Sequence, residues 1–226
     1  MSNFDETQNG IEWPFAGVDE VGRGCIAGPV VACALVLPKG CKIDGVKDSK
    51  KLSKKQRAVL EKKIIDASES FAFGVVDSTE IDETNILAAT LKAMSIAIQG
   101  LNVSPTKVIV DGTHAPDCEY PVLCLKQGDS LSQTVAAASI LAKEYRDRLM
   151  TEFCAQYPEY GFSSHKGYGT KKHFAAISEN GLCPLHRRTF LKVQNFSLRE
   201  KPLCHTTQQA AWGPRSVSAS IFAVHL

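Results

Sequence analysis

The chain has 226 residues and a formal net charge of +2. That length suits one large domain, or one domain with appendages, whose core needs no disulfide or metal staple to fold. Apolar and charged fractions of 44% and 22% are those of an ordinary soluble globular protein, and so small a net charge does not by itself announce a nucleic-acid binder. The distribution of charge says more, because "KDSKKLSKK" (Lys47 to Lys55) and "HKGYGTKKH" (His165 to His173) are basic clusters.

In chain order, the acidic and polar start "MSNFDETQNG" is unlike a signal peptide. Pro14 to Val21 ends in a short apolar strand, and "GPVVACALVL" (Gly28 to Leu37) is a β-branched run that predicts a buried strand. Ser53 is positioned to cap a helix through Ala67, with Leu60, Ile64 and Ile65 on one face. "SFAFGVVDS" (Ser70 to Ser78) is another strand, and Thr79 to Gln99 predicts an amphipathic helix or helix pair ending at Gly100. "KVIVDGT" (Lys107 to Thr113) and "YPVLCLKQG" (Tyr120 to Gly128) are strands. Ser130 to Tyr157 predicts one long helix whose Ala-rich first half can pack closely on a sheet, and a shorter helix over Thr170 to Glu179 is closed by Asn180-Gly181. Strands first, then alternating helix and strand, favour an α/β layered domain with a mixed sheet. Leu198 to Leu226 lacks long periodic runs and carries Pro202, Gly213 and Pro214, which predicts an irregular or loosely attached tail.

Eight cysteines without a C-x-x-C pair, two of them (Cys33 and Cys124) inside apolar runs, fit buried free thiols in a reducing compartment better than disulfides or zinc. With no apolar segment long enough to span a bilayer, the expectation is a cytoplasmic protein without a membrane partner.

Acids gather at strand ends. Asp19 and Glu20 close the first strand, Asp111 ends "KVIVD", and Asp129 follows "LCLKQG". Ligand sites in open α/β sheets form at such ends. Successive strand residues point to opposite faces, so Asp19 and Glu20 cannot both point straight into one pocket unless a bulge or the strand's end redirects one. Clustered carboxylates need a compensating cation, and Mg²⁺ or Mn²⁺ prefers carboxylate and water oxygens. Two such ions about 4 Å apart would clamp the attacking and leaving oxygens of a phosphodiester. Taken in isolation, Asp129 before "SLSQ" reads first as a helix cap and Asp111 before Gly112 as a plain turn. An acidic pair flanked by apolar residues is costlier to explain away. Behind it, Gly22 and Gly24 let backbone approach a ligand and Arg23 can meet a phosphate, although "GRG" alone is also a common tight turn.

The motifs "AGVDEVGRG", "DSKKLS", "VDGTHAP", "KQGDS", "AAASILAKEYRDR", "HKGYGT" and "HRRTF" occur in this order from Pro14 to Phe196. Together they resemble bacterial type 2 ribonuclease H, ribonuclease HII. The resemblance implies a ribonuclease H-like fold, with a mixed central sheet flanked by helices and a helical C-terminal extension. The corresponding division is an N-terminal segment 1–13, a catalytic domain 14–197 and a tail 198–226 of unassigned role. It implies an endonuclease that cuts the RNA strand of RNA–DNA hybrids and nicks duplex DNA on the 5′ side of an embedded ribonucleotide, leaving 3′-hydroxyl and 5′-phosphate ends; a monomer is expected. The family's four acids fall on Asp19, Glu20, Asp111 and Asp129, as ligands of Mn²⁺ or Mg²⁺, the first three as the core ligands and Asp129 completing the site and the second-metal environment. Its 2′-hydroxyl reader falls on Gly22, Arg23 and Gly24, with Tyr168 bonding the same hydroxyl and stacking on the next deoxyribose. Lys50, Lys51, Lys143 and Lys166 would contact phosphates. His165, His173 and His186 match no zinc spacing and are expected in loop or phosphate-contact roles. Cys25 stands where the family commonly has proline, and Thr113 where asparagine is common. Two rival readings share the acids: a resolvase-like DNA nuclease, which needs no 2′-hydroxyl reader, and a catalytically silent hybrid-binding module, in which loss of an acid would be expected.

Overall fold

A computed structural model describes residues 4–7, 12–46 and 52–192. Lys50, Lys51 and the tail 198–226 lie outside the described residues. The five strands β1 (Phe15–Val21), β2 (Val30–Val36), β3 (Ser70–Val76), β4 (Lys107–Asp111) and β5 (Val122–Leu125) form one sheet in the order β3-β2-β1-β4-β5. β1 to β3 pair antiparallel, while β4 and β5 run parallel to β1, so the sheet is mixed as the sequence predicts.

All seven residues of β2 are buried because both faces of the sheet are covered. Val30, Ala32, Ala34 and Val36 join a core with Ala93, Met94 and Ala97 of helix α4 (Ile86–Gln99). Val31, Cys33 and Leu35 pack on Leu60 and Ile64 of α2 (Lys54–Ala67) and on the Ala-rich start of α6 (Gln133–Gln156). Each such fully buried Val or Leu contributes about 1.5–3 kcal/mol relative to exposure. The predicted cap of α2 is present as a capping box, Ser53 Oγ accepting from Gln56 N–H and Gln56 Oε1 from Ser53 N–H.

α6 lies close against β1. A Cβ built on Gly17 would stand 2.6 Å from the Thr134 carbonyl carbon and the Val135 nitrogen, so only glycine admits the helix this near. Phe4–Thr7 (α1) reaches the same helix end, where the Asp5 carboxylate accepts from the Thr134 N–H and hydroxyl, both at 3.0 Å.

The 79–99 region takes the helix-pair form of the expectation, because Asp77 caps α3 (Ser78–Glu83) and Asn85 caps α4 anew, with Gly100 at its end. Some boundaries differ from expectation. The predicted single helix over 130–157 is a short α5 (Gly128–Leu131) and then α6, since Ser132 turns extended and caps Val135. The 120–128 strand shortens to β5, whose residues are half-buried at the sheet's edge, Cys124 among them. Beyond α6 come a 3₁₀ turn (Pro158–Tyr160), α7 (Phe162–His165), α8 (Lys171–Asn180) and α9 (Arg188–Lys192). This helical extension packs Tyr160, Phe162, Ile177 and Leu191 against Met150 of α6 and Ile26 and Ala27 of the β1–β2 loop. Of the extension, only α8 has the length and cap that sequence periodicity reads; Thr170 caps it by accepting from His173 N–H.

Candidate active site

Strand alternation decides which acids meet. Phe15 and Ile109 pack with Val135 of α6, and Gly17 pairs in register with Ile109. Two residues further along each strand, on that same face, stand Asp19 and Asp111. Asp129 arrives from α5, placed by a left-handed Gln127 (φ 58°) at the turn out of β5. Asp19, Asp111 and Asp129 each present a carboxylate oxygen within 4.8 Å of the other two. Glu20, one residue out of phase, is not in that triad. Its carboxylate lies 3.4 Å from Arg23 at the triad's rim, as the alternation argument expects.

The triad is held by donors. The Glu20 N–H gives Asp19 Oδ1 a bond of 2.7 Å, and the Ser139 side chain of α6 bonds the same carboxylate. The Gly128 N–H donates to Asp111 Oδ1 at 2.8 Å. Ser139 escaped the sequence reading, because a serine in an Ala-rich helix looks like one more small residue. Burial raises the Asp19 pKa well above the usual carboxylate value, and the Glu20 and Asp111 charges raise it further. Burial likewise raises Glu20, against the pull of Arg23. Asp19 and Asp129 are each 5% exposed. Such a set of oxygens, short of positive charge and largely shielded from water, fits a hard divalent cation.

The Gly22–Gly24 turn leaves β1 immediately beyond these acids. Gly22 has φ 98°, and a Cβ there would stand 2.3 Å from Arg146 Nε, so both backbone and space require glycine. Two arginines with no exposed surface fix the loop from behind. Arg146 donates to the carbonyls of Pro29, Ala27 and Lys166, at 2.9, 3.2 and 2.8 Å. Arg187 donates to Arg23 O at 3.0 Å and twice to Gly28 O, at 3.0 and 2.8 Å. Burial, then Arg146 beside it, lower Arg187 to about 10, so it stays charged at neutral pH. Sequence reading gave these two arginines no role; an arginine in "YRDR" or "HRRTF" looks like surface.

The loop containing Tyr168 packs on the same turn, Gly167 O accepting from the N–H groups of Ile26 (2.9 Å) and Ala27 (3.3 Å). Tyr168 is 44% exposed, and its pKa is raised by burial and by the Cys25 side chain it hydrogen-bonds. Lys143 Nζ is paired with Asp147 Oδ1 at 2.7 Å, and Lys166 Nζ donates to Asp147 O at 3.0 Å and Thr151 Oγ1 at 2.8 Å. Both ammonium groups are therefore engaged on α6. His173 and His186 depart from expectation: they are 0% and 3% exposed and bonded to each other, out of reach of a phosphate.

A family profile described as ribonuclease HII matches residues 16–193. A ribonuclease HII of Ruminiclostridium cellulolyticum is 50% identical over 177 residues, 78% of this chain and 69% of the relative. The crystal structure of the ribonuclease H2 from Pyrococcus horikoshii OT3 superposes with a TM-score of 0.64 at 31% identity, covering 77% of this chain and 92% of that one. A Bst ribonuclease HIII solved in complex with Mn²⁺ superposes with a TM-score of 0.53 at 25% identity, over 63% of this chain and 55% of its own. The sheet order, the strand-end acids and these matches agree: the chain belongs to the ribonuclease HII family.

Proposed function

We propose that this protein, beyond hydrolysing the RNA strand of RNA–DNA hybrids as a metal-dependent endoribonuclease, nicks duplex DNA on the 5′ side of a single embedded ribonucleotide. The products carry 3′-hydroxyl and 5′-phosphate ends, and the working ion is Mn²⁺ or Mg²⁺. The observation that carries the reading is the convergence of Asp19, Asp111 and Asp129 beside a glycine turn that Arg187 bonds at Arg23 O and Arg146 packs against at Gly22.

Asp19, Asp111 and Asp129 would hold the cation, with Glu20 as the fourth carboxylate at the rim. Such an ion, when bound, orients and activates water for in-line attack on phosphorus and offsets charge on the leaving oxygen. Ser139 and the Gly128 N–H keep the Asp19 and Asp111 carboxylates aimed at one another before substrate arrives. The turn Gly22, Arg23 and Gly24 would read the 2′-hydroxyl, which is both donor and acceptor and separates RNA from DNA. Tyr168, half-exposed on the adjoining loop, would bond the same hydroxyl and lie against the next deoxyribose. Lys50, Lys143 and Lys166 are assigned to phosphates, the latter two by sharing ammonium groups that α6 acceptors hold. No helix among the described residues is long and apolar enough to cross a membrane, which supports our placing the enzyme in the cytoplasm. We take it to act as a monomer.

The test is strand cleavage of an end-labelled DNA duplex carrying one ribonucleotide, with Mn²⁺, Mg²⁺ or chelator and an all-DNA control. A single metal-dependent cut 5′ to the ribonucleotide is expected. Cleavage of RNA–DNA hybrid without that cut would leave the ribonuclease and remove the junction reader.

A further inference from the structure

Behind the Tyr168 loop lies a chain of side chains that the hydrolytic site does not use. His173, on α8, points Nδ1 at the Tyr168 carbonyl at 3.0 Å. Its Nε2 is 3.1 Å from His186 Nε2. His186 Nδ1 in turn meets the Cys183 N–H at 3.0 Å and the Cys183 Sγ at 3.2 Å.

Proton positions follow from which partners can only accept or only donate. A carbonyl only accepts, so His173 Nδ1 carries a proton. With a neutral imidazole, His173 Nε2 is then bare, and His186 Nε2 must donate to it. His186 Nδ1 is left bare, and it accepts the Cys183 N–H, which can only donate. The Cys183 carbonyl, 3.3 Å from the same nitrogen, would demand the opposite tautomer. That tautomer sets the Cys183 N–H against another N–H and forces a second proton onto His173. Burial opposes the charge, holding both rings near a pKa of about 4. Burial also pushes the Cys183 thiol up to about 12, so it remains a donor. His165 stacks on His173 with ring centroids 4.2 Å apart; its Nε2 meets Tyr160 O at 2.8 Å and its Nδ1 the Gly167 N–H at 3.3 Å. Two rings thus grip the backbone at the Gly167 N–H and the Tyr168 carbonyl, just after Lys166, which is left-handed (φ 53°).

We propose that His173 and His186 are positioning residues for ribonucleotide selectivity: a tautomer-locked, neutral imidazole pair that runs from the Cys183 N–H to the Tyr168 carbonyl and fixes where the Tyr168 ring stands. This rests on Tyr168 as the sugar-reading residue. The pair touches neither substrate nor metal ligands, so its effect falls on selectivity through Tyr168.

The experiment compares kcat/KM on a single-ribonucleotide duplex with that on a uniform RNA–DNA hybrid, and takes their ratio. His173→Leu removes the donor to Tyr168, whereas His173→Asn retains an N–H at the Nδ1 position. Loss of one such bond predicts a ratio lowered about tenfold in His173→Leu, restored to within about threefold of wild type in His173→Asn. In a Tyr168→Ala background, His173→Leu should lower the ratio no further. If Tyr168→Ala lowers the ratio and folded His173→Leu does not, the positioning role is overturned. If Tyr168→Ala itself leaves the ratio unchanged, the sugar-reading assignment has failed, and this inference with it. Should His173→Leu not fold, nitrogen-15 NMR of the wild-type histidines decides: Nδ1–H on His173 and Nε2–H on His186 at neutral pH are expected, and an imidazolium or the reverse tautomers refute the arrangement.

Discussion

Replacing Asp19 by Asn should abolish cleavage and, without metal, make the protein more stable. The three carboxylate oxygens of Asp19, Asp111 and Asp129 lie within 4.8 Å of one another. At an effective dielectric constant of about 20, two unit charges at that distance repel by about 3.5 kcal/mol, which adds to the cost of burying ionised Asp19. Protonating an ordinary aspartate at neutral pH costs about 4 kcal/mol, which is the cheaper course and sets the penalty. This agrees with the raised Asp19 pKa, caused first by burial and then by neighbouring charge. Asn escapes the penalty and still offers Oδ1 to the Glu20 N–H, a bond of 2.7 Å in the wild type. The gain is bounded by about 4 kcal/mol, or about 8–16 °C in Tm for a chain of this size. A group whose folded pKa is raised destabilises progressively as pH rises above its unfolded value, so the gain should shrink towards pH 4. Thermal melts in chelator, across pH, measure it. Added Mn²⁺ should raise the wild-type Tm and leave the variant almost unmoved. A variant that melts below wild type in chelator at neutral pH, or that still turns over, would refute the account of the cluster.

Tyr168→Ala should move Tm by less than about 2 °C, because the side chain is 44% exposed, and should depress cleavage at a lone ribonucleotide; equal rates on that substrate would remove its assignment. Gly22→Ala meets both a φ of 98° and the Arg146 side chain, so it should cost about 1–3 kcal/mol or more in chemical denaturation, with junction cleavage falling further than stability explains. His173 and His186 are depressed from 6.5 to about 4, which makes stability complete above pH 6.5 and eroded as pH falls towards 4. At about 1.4 kcal/mol per pH unit, the first protonation is worth about 3 kcal/mol. Melts in an Asp19→Asn background isolate this slope from the opposing one at Asp19, and a Tm flat between pH 6.5 and 4.5 would count against buried neutral rings.

The sheet and the acids were legible because both depend on short-range pattern. The unbroken apolar run of β2 announced a strand covered on both faces, and single acids at strand ends marked where ligands can collect. Alternation even separated Glu20 from the Asp19 face in advance. What the sequence withheld depends on partners far along the chain. Ser139 reaches Asp19 across more than a hundred residues, and Arg146 and Arg187 spend their donors on carbonyls of a loop near the start. No local signal distinguishes a buried arginine in "YRDR" from a solvated one. The histidines misled for the same reason: a basic-looking "HKGYGTKKH" contains rings whose burial keeps them neutral.

The β1–β2 loop that carries the glycine turn is held by Arg187 of the C-terminal helical extension and by Arg146 of α6, whereas the carboxylates are held by the sheet and by Ser139 nearer the start of α6. Helix α6 thus touches both, bonding Asp19 through Ser139 and the loop through Arg146 about two helical turns further on. On the proposed reading, a shift of α6 would move the metal ligands and the sugar reader together, so that a substitution loosening this helix would cost turnover and selectivity at once.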